Sequence, residues 1–256
     1  MLYYDFMIIQ NLKKELVIAK KAAKVAGELL LKKSPLLDTE LSSTDKDIKL
    51  KADIIAENCI KDILTKESNF SILAEESSMH FELKDETFWV VDPLDGTANY
   101  SRDIPLCCVS IALVSNLIPV LGVIYDFNEN KLYEGSKETK AFLNNKEIKV
   151  SKTENSCEGI LLTGLPNNTD YSDDALHKMI KNFQNWRKVR MIGSAALSSA
   201  FVASGKADVY MENKAYLWDI AAGAAIVNAA GGEALILNQN EEFQVDVHFS
   251  NSLLTT

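Results

Sequence analysis

The residues best suited to chemistry lie in one run, Phe88-Trp89-Val90-Val91-Asp92-Pro93-Leu94-Asp95-Gly96-Thr97-Ala98-Asn99. An apolar strand ends in Asp92. Pro93, with no N–H and a fixed φ, then stops ladder pairing, and Asp95-Gly96 makes a tight turn in which glycine can take a positive φ. Two carboxylates so spaced at a strand end can converge on one hard cation. Mg2+ takes oxygen ligands and keeps positions open for water and a phosphate oxygen. A strand followed by a ligand-free turn is the plainer alternative. A second acidic pair, Glu75-Glu76, follows the apolar stretch Ser71–Ala74; carboxylates at two strand ends share a sheet edge, although a solvated acidic loop reads the same way. The third piece is Leu217-Trp218-Asp219-Ile220-Ala221-Ala222-Gly223. Asp219 falls in the first turn of a long apolar helix, where the helix dipole favours an acid in any case. The small residues after it allow a close helix contact that would hold Asp219 rigidly.

The elements that must position these acids follow from periodicity. Residues 11–33 read as an amphipathic helix, with Leu12, Leu16, Ala19, Ala23, Ala26 and Leu30 on one face and Lys13, Lys20, Lys24 and Lys32 on the others. Ser34-Pro35 ends it. Residues 38–50 read as a loop with a short extended stretch at its end, and 53–66 as a second helix. Short β-branched and aromatic runs follow at 70–73, 88–91, 108–114, 120–125, 131–134 and 141–143, with an Asn144-Asn145 turn leading to 147–150. With no helix between them, they suggest an antiparallel sheet. Strands at 159–163, 188–191, 208–211 and 233–237 then alternate with helices at 173–184, 194–204 and 218–230, as in a second αβ layer. The expected division is an N-terminal part over residues 1–150 and a C-terminal part over 151–256, forming one compact unit.

Composition narrows the function. With 27 Lys plus Arg against 36 Asp plus Glu, the formal net charge is −9. That disfavours nucleic-acid or anionic-membrane partners, which want a basic surface. Cys59, Cys107, Cys108 and Cys157 form no CxxC pair and only three His occur, so a Cys/His zinc site is not expected. The four thiols read as reduced, and Cys107 and Cys108 as pointing to opposite faces of a strand. His80, His177 and His248 stand outside the acidic motifs and read as structural or surface residues. No apolar stretch reaches membrane-spanning length, and MLYYDFMIIQ lacks the pattern of a signal peptide. A cytoplasmic protein is expected.

Taken together, Asp92-Pro93-Leu94-Asp95-Gly96-Thr97 with Asn99, the upstream Glu75-Glu76 and Trp218-Asp219-x-Ala221-Ala222-Gly223 resemble the inositol monophosphatase family of Mg2+-dependent, lithium-sensitive phosphatases. Asp47 to Asp53, Gly193-Ser194-Ala195-Ala196-Leu197 and Gly205 to Glu212 extend the resemblance over most of the chain. It implies a layered α-β-α-β-α sandwich of mixed α/β (α+β) class and commonly a homodimer. It implies two or three Mg2+ ions held by Glu75, Asp92, Asp95, Asp219 and the backbone carbonyl of Leu94. Asp53 and Thr97, with Glu75 beside them, are implied as the catalytic group that orients and deprotonates a metal-activated water. Leu94, Asp95, Gly96 and Thr97 are implied as the phosphate cradle, and Gly193, Ser194 and Ala195 as a second wall. Glu212 is implied as the carboxylate that meets substrate hydroxyls, with Asp219 nearby.

The resemblance points to a small phosphorylated polyol, inositol monophosphate first. Fructose 1,6-bisphosphate and 3′-phosphoadenosine 5′-phosphate are alternatives of the same fold, and a regulatory binding module is a further one. A carboxylate at Glu212 suits hydroxyl donors, whereas Asn213-Lys214-Ala215-Tyr216-Leu217 departs from the common inositol-enzyme loop, and Lys214 could serve a second anionic group. The acidity also acquires a meaning. Five acids, Asp53, Glu75, Asp92, Asp95 and Asp219, are assigned to one site, where two or three divalent ions would supply about +4 to +6.

Overall fold

A computed structural model describes residues 2–32, 37, 39–43, 48–80, 82, 85–165 and 169–254. The expected helix stop at Ser34-Pro35, Asp47 and the side chain of His80 lie outside the described part. The elements in chain order are α1 (Leu2–Leu31), β1 (Glu40–Ser43), β2 (Ile48–Leu50), α2 (Lys51–Glu67), β3 (Ser71–Ala74), β4 (Thr87–Asp95), α3 (Thr97–Tyr100), β5 (Cys108–Ser115), β6 (Ile118–Asp126), β7 (Lys131–Ser136), β8 (Thr139–Leu143) and β9 (Lys146–Glu147). They continue as β10 (Ile160–Thr163), α4 (Asp173–Phe183), β11 (Lys188–Arg190), α5 (Ala195–Ala203), β12 (Val209–Tyr216), α6 (Leu217–Ala229), β13 (Glu233–Leu237) and β14 (Gln244–Ser250). Strands β3 to β9 form a seven-stranded sheet in chain order, and the second sheet runs β11-β10-β12-β14-β13.

Strand alternation sends side chains to two different cores. Trp89, Val91, Val109, Ile111 and Cys107 pack with Ala19, Ala23 and Ala26 of α1 and Ala56, Ile60 and Leu64 of α2. Phe88, Val90, Cys108 and Ala112 face the other way, onto α5, α6, β12 and β14. A third, smaller cluster lies on the far side of the second sheet, where Leu161 and Val209 meet Phe183 at the end of α4. The layers are therefore α1/α2, seven-stranded sheet, α5/α6, five-stranded sheet and α4, the expected α-β-α-β-α order. Helices α5 and α6, enclosed between two sheets, are apolar on nearly all sides, as such helices must be. The adjacent Cys107 and Cys108 do point to opposite cores, and all four thiols are free. No described helix is long and apolar enough to cross a membrane.

Several elements differ from the sequence reading. Helix α1 begins at Leu2 rather than residue 11, because weak helix-forming aromatic and β-branched residues at the start hide it. Of residues 38–50, expected as a loop with an extended end, Ile48–Leu50 is that extended end, but Glu40–Ser43 is also a strand, and the two pair antiparallel as β1–β2. The 147–150 strand is cut to Lys146–Glu147, because the chain then leaves the sheet and Val150 N–H donates to Ala230. In the otherwise antiparallel seven-stranded sheet, β3 and β4 run parallel; the intervening residues include a 3-10 turn over Glu75–His80. Strand β14 was not anticipated, although Val245, Val247 and Phe249 alternate in the strand manner and are buried. Lys20, assigned to a solvated face, instead pairs with Glu134 of β7 at 2.7 Å.

The small residues of α6 do what their size suggests. A Cβ on Gly223 would lie 2.2 Å from Ser199 Cβ of α5, so the two helices touch only because none is there. Gly223→Val should destabilise the fold by ~1–3 kcal/mol through overpacking, read as a lowered urea midpoint with an unchanged m-value.

Candidate active site

The sequence reading ends the strand at Asp92, but β4 runs on to Asp95, which pairs with Cys108 after a register shift at Pro93-Leu94. Asp92 thus lies within β4 and Asp95 ends it, with Leu94 buried between them. Gly96 follows at φ 90°, in the left-handed region that a Cβ makes costly. A Cβ there would also approach Leu106 O to 2.7 Å. The turn opens α3, and Thr97 Oγ1 lies 3.0 Å from both Asp53 Oδ1 and the Leu94 carbonyl. With a single proton, the hydroxyl donates to one of them at a time.

Two of the acids sit at equivalent places on different helices. Asp53, in the first turn of α2, accepts the Leu50 N–H at 2.7 Å through Oδ2. Asp219, in the first turn of α6, accepts the Tyr216 N–H at 2.9 Å through Oδ2. Each satisfies a backbone donor that the helix start leaves unpaired. In Asp53 the other oxygen faces Thr97. The helix-terminus reading and the site reading therefore hold for the same carboxylate.

Asp95 is held from the other side. The Ser194 hydroxyl donates to its Oδ2, as does the Ala196 N–H at 2.8 Å, and the Ala195 N–H reaches Oδ1 at 3.3 Å. The N-terminus of α5 thus grips Asp95. Gly193, Ser194 and Ala195, expected as a wall for the substrate, already spend the Ser194 hydroxyl and the Ala195 N–H on this carboxylate. Asn99, to which the sequence motif assigns no role, supports the join. Its Nδ2 lies 2.8 Å from the carbonyls of Leu106 and Ile192, tying the β4 turn to the Gly193 loop.

Glu75, Asp92, Leu94, Asp95, Gly96, Thr97, Gly193, Ser194, Ala195, Glu212 and Asp219 all line one cleft of about 300 Å3. Asp53 is buried behind Thr97. Thr163, Gly164, Leu165, Ser198 and Gln244 also line the cleft and were not foreseen, and Lys214 stands among the remaining lining residues. Gly164 did carry a signal, a glycine at a strand end before Pro166. A Cβ at Gly164 would fall 2.1 Å from Glu212 Oε2, so the carboxyl lies directly on that backbone. Tyr210, fully buried, donates its hydroxyl to the same oxygen at 3.0 Å. Burial and the nearby Asp95 push Glu212 up to about 7, against the lowering effect of Tyr210. His177 and His248 do not line the cleft.

The electrostatics are those of acids pressed together. Glu75 is held well above the carboxylate range by burial and then by Asp219, Glu76 and Asp53, while a hydrogen bond with Asp92 opposes the rise. Asp92 is raised by burial, Glu75, Asp95 and Asp219. Burial raises Asp95 too, but its bonds from Ser194 and α5 restrain the rise. Asp53 goes from 3.8 to about 7, chiefly by burial. Among the described residues, the largest influences on these four groups include no lysine or arginine. The donor set is all oxygen, several carboxylates and a carbonyl, which is what a hard divalent cation requires. As arranged here, no three His, Cys, Asp or Glu side chains among the described residues already surround a single metal point. The acids share a space, and their mutual repulsion is the property that a cation would relieve.

The layered fold with its acid-lined cleft is that of a phosphoric monoester hydrolase. The model of the inositol monophosphatase family matches residues 11–254, and the chain belongs to that family. Relatives include the Nus factor SuhB of Xylella fastidiosa, 36% identical over 219 residues and covering 84% of this chain and 79% of that protein. The inositol monophosphatase of Mesembryanthemum crystallinum is 35% identical over 224 residues, covering 85% and 83%. Among solved structures, the inositol monophosphatase from Anabaena is 32% identical with a TM-score of 0.82, covering 95% of this chain and 92% of that one.

A proton balance gives the first test of the site. Buried acids with raised folded-state values keep protons that the unfolded chain has lost, so the folded state binds more protons between about pH 4 and about pH 7, and stability falls as pH rises through that window. In EDTA the melting temperature should drop by at least about 4 °C between pH 5 and pH 8, the shift that ~1–2 kcal/mol produces in a chain of this size. Millimolar Mg2+ should remove most of that drop. A flat profile in EDTA by calorimetry would contradict the charge assignment.

Proposed function

We propose that this protein is a Mg2+-dependent phosphomonoesterase acting on a small phosphorylated polyol, inositol monophosphate first. The observation that carries it is the Thr97 hydroxyl, poised between Asp53 and the Leu94 carbonyl beside a cleft of converging acids. Glu75, Asp92, Asp95, Asp219 and the Leu94 carbonyl would hold two or three Mg2+ ions. When bound, Mg2+ supplies Lewis acidity that lowers the pKa of water and neutralises charge on the phosphoryl and leaving oxygens.

The chain's own residues supply the rest. Thr97 Oγ1 accepts a proton from the attacking water as it passes its own to Asp53 Oδ1. Asp53, buried behind Thr97 with one oxygen on its hydroxyl, is placed to take that proton. Gly96 and Thr97 stand at the start of α3, where backbone N–H groups lack partners within the helix and suit a phosphate oxygen. Ser194 and Ala195 act mainly through Asp95, fixing its carboxylate. Glu212, oriented by Tyr210 and seated on Gly164, accepts from a substrate hydroxyl. Family membership also supports a cytoplasmic homodimer sensitive to Li+. A second reading, a binding role alongside catalysis, is favoured by one observation: the Xylella fastidiosa relative bears the name Nus factor.

Phosphate release from inositol 1-phosphate, fructose 1,6-bisphosphate and 3′-phosphoadenosine 5′-phosphate tests the reading. Mg2+-dependent release from inositol 1-phosphate is expected, inhibited by tens of millimolar Li+. Release from none of the three would favour the binding role. Asp92→Asn should abolish turnover while circular dichroism stays native; wild-type turnover in that variant would sink the site. Tyr210→Phe should raise KM for inositol 1-phosphate more than it lowers kcat, because it loosens a substrate contact and leaves the Asp53–Thr97 pair intact.

A further inference from the structure

Beyond Glu212 the candidate active site opens into a second hollow of about 470 Å3. The two share Thr163, Gly164, Leu165, Glu212 and Lys214, so they adjoin along these residues. The far wall is α4, which contributes Lys178, and Met179, Phe183 and Met211 supply an apolar lining. The titratable groups lining the hollow are Lys178, Lys214, Asp170 and Glu212. Glu212 stands at the shared end, engaged by Tyr210. Asp170 is exposed just before α4, accepts the Ser172 N–H at 2.8 Å, and feels both ammonium groups.

Lys214 is held where it is by specific structure. Pairing of β12 with β14 loses register between Glu212 and Ala215, so Asn213 and Lys214 form a bulge, a device that re-aims side chains. Lys214 sits at φ 59°, a region that asparagine or glycine enters far more readily than lysine. Its N–H is fixed by Asp246 Oδ1 at 2.9 Å, and the other oxygen of Asp246 accepts from Asn238 Nδ2 at 2.7 Å. A lysine kept at a position suited to asparagine, on the rim joining the two hollows, calls for a reason beyond the backbone.

We propose that the second hollow is a subsite for a further anionic group carried by the substrate, a second phosphate or a carboxylate on a polyol chain, bound by Lys178 and Lys214. The proposal rests on the phosphomonoesterase reading above. A phosphate dianion brings more charge and more acceptor oxygens than the single carboxylate of Asp170, so it can engage both ammonium groups at once. Asp170 is then a competitor for the lysines, and its removal has the opposite sign to theirs.

Steady-state kinetics in Mg2+ at fixed ionic strength separate the outcomes, with inositol 1-phosphate and fructose 1,6-bisphosphate as probes. Asn at position 214 retains the left-handed backbone. Lys178→Gln and Lys214→Asn should each raise KM for the bisphosphate about fivefold or more, the scale of one charge-assisted hydrogen bond at a partly exposed site. Lys178→Gln, whose lysine lines only the second hollow, should leave inositol 1-phosphate within about twofold, a change too small for a lost charge-assisted contact. Asp170→Asn should lower KM for the bisphosphate. Equal effects on both substrates, an unmoved KM for the bisphosphate, or a wild-type enzyme that cleaves only the monophosphate would overturn the subsite. Cleavage of neither substrate by the wild type would instead overturn the phosphomonoesterase reading itself.

Discussion

Repulsion among buried acids is the constraint around which the layers are arranged. Glu75, Asp92, Asp95 and Asp219 come from a 3-10 turn, a strand, the end of that strand and a helix start; burial raises the proton affinity of Glu75, Asp92 and Asp95, and neighbouring acids raise Glu75 and Asp92 further. Such a group of charges holds together only if the backbone carrying each is fixed by something else. Two apolar helices pressed between two sheets do this for Asp219 and for the α5 end that grips Asp95. The parallel β3–β4 pair does it for Glu75 and Asp92, placing both on one sheet edge.

The same logic explains why several site residues have a second task. Asp53 and Asp219 each cap the helix they begin, and Asp95 receives donors from the start of α5. Site geometry and helix termini are therefore not independent. A shift of α5 or α6 along its axis would move a carboxylate with it, and the close contact of Gly223 with Ser199 opposes such a shift.

Much of this was legible in the sequence because the acids lie in short contiguous motifs whose strand and helix contexts are strongly patterned. Asp92 to Thr97 and Trp218 to Gly223 carry their local structure with them. Residues contributed by isolated positions were harder to see. Asn99 matters through two carbonyls more than ninety positions apart from it and close to it, respectively. Gly164 matters only because Glu212 folds onto it. The β12 bulge is visible only when β14 is paired beside it, and β14 itself was missed although its alternation was present. The parallel β3–β4 pairing was hidden because antiparallel and parallel strands share the same local pattern.

Helix α4 differs from the other long elements in burying no residue completely. It borders the second hollow on one side and contributes only Phe183 to the small outer cluster. The layers that hold the acids do not depend on it. Substitutions along α4 are thus free to alter what the cleft admits while leaving the charge cluster undisturbed. A lineage carrying this fold can change its substrates at this helix without first rebuilding its core, and that separability is a property of the architecture rather than of any one residue.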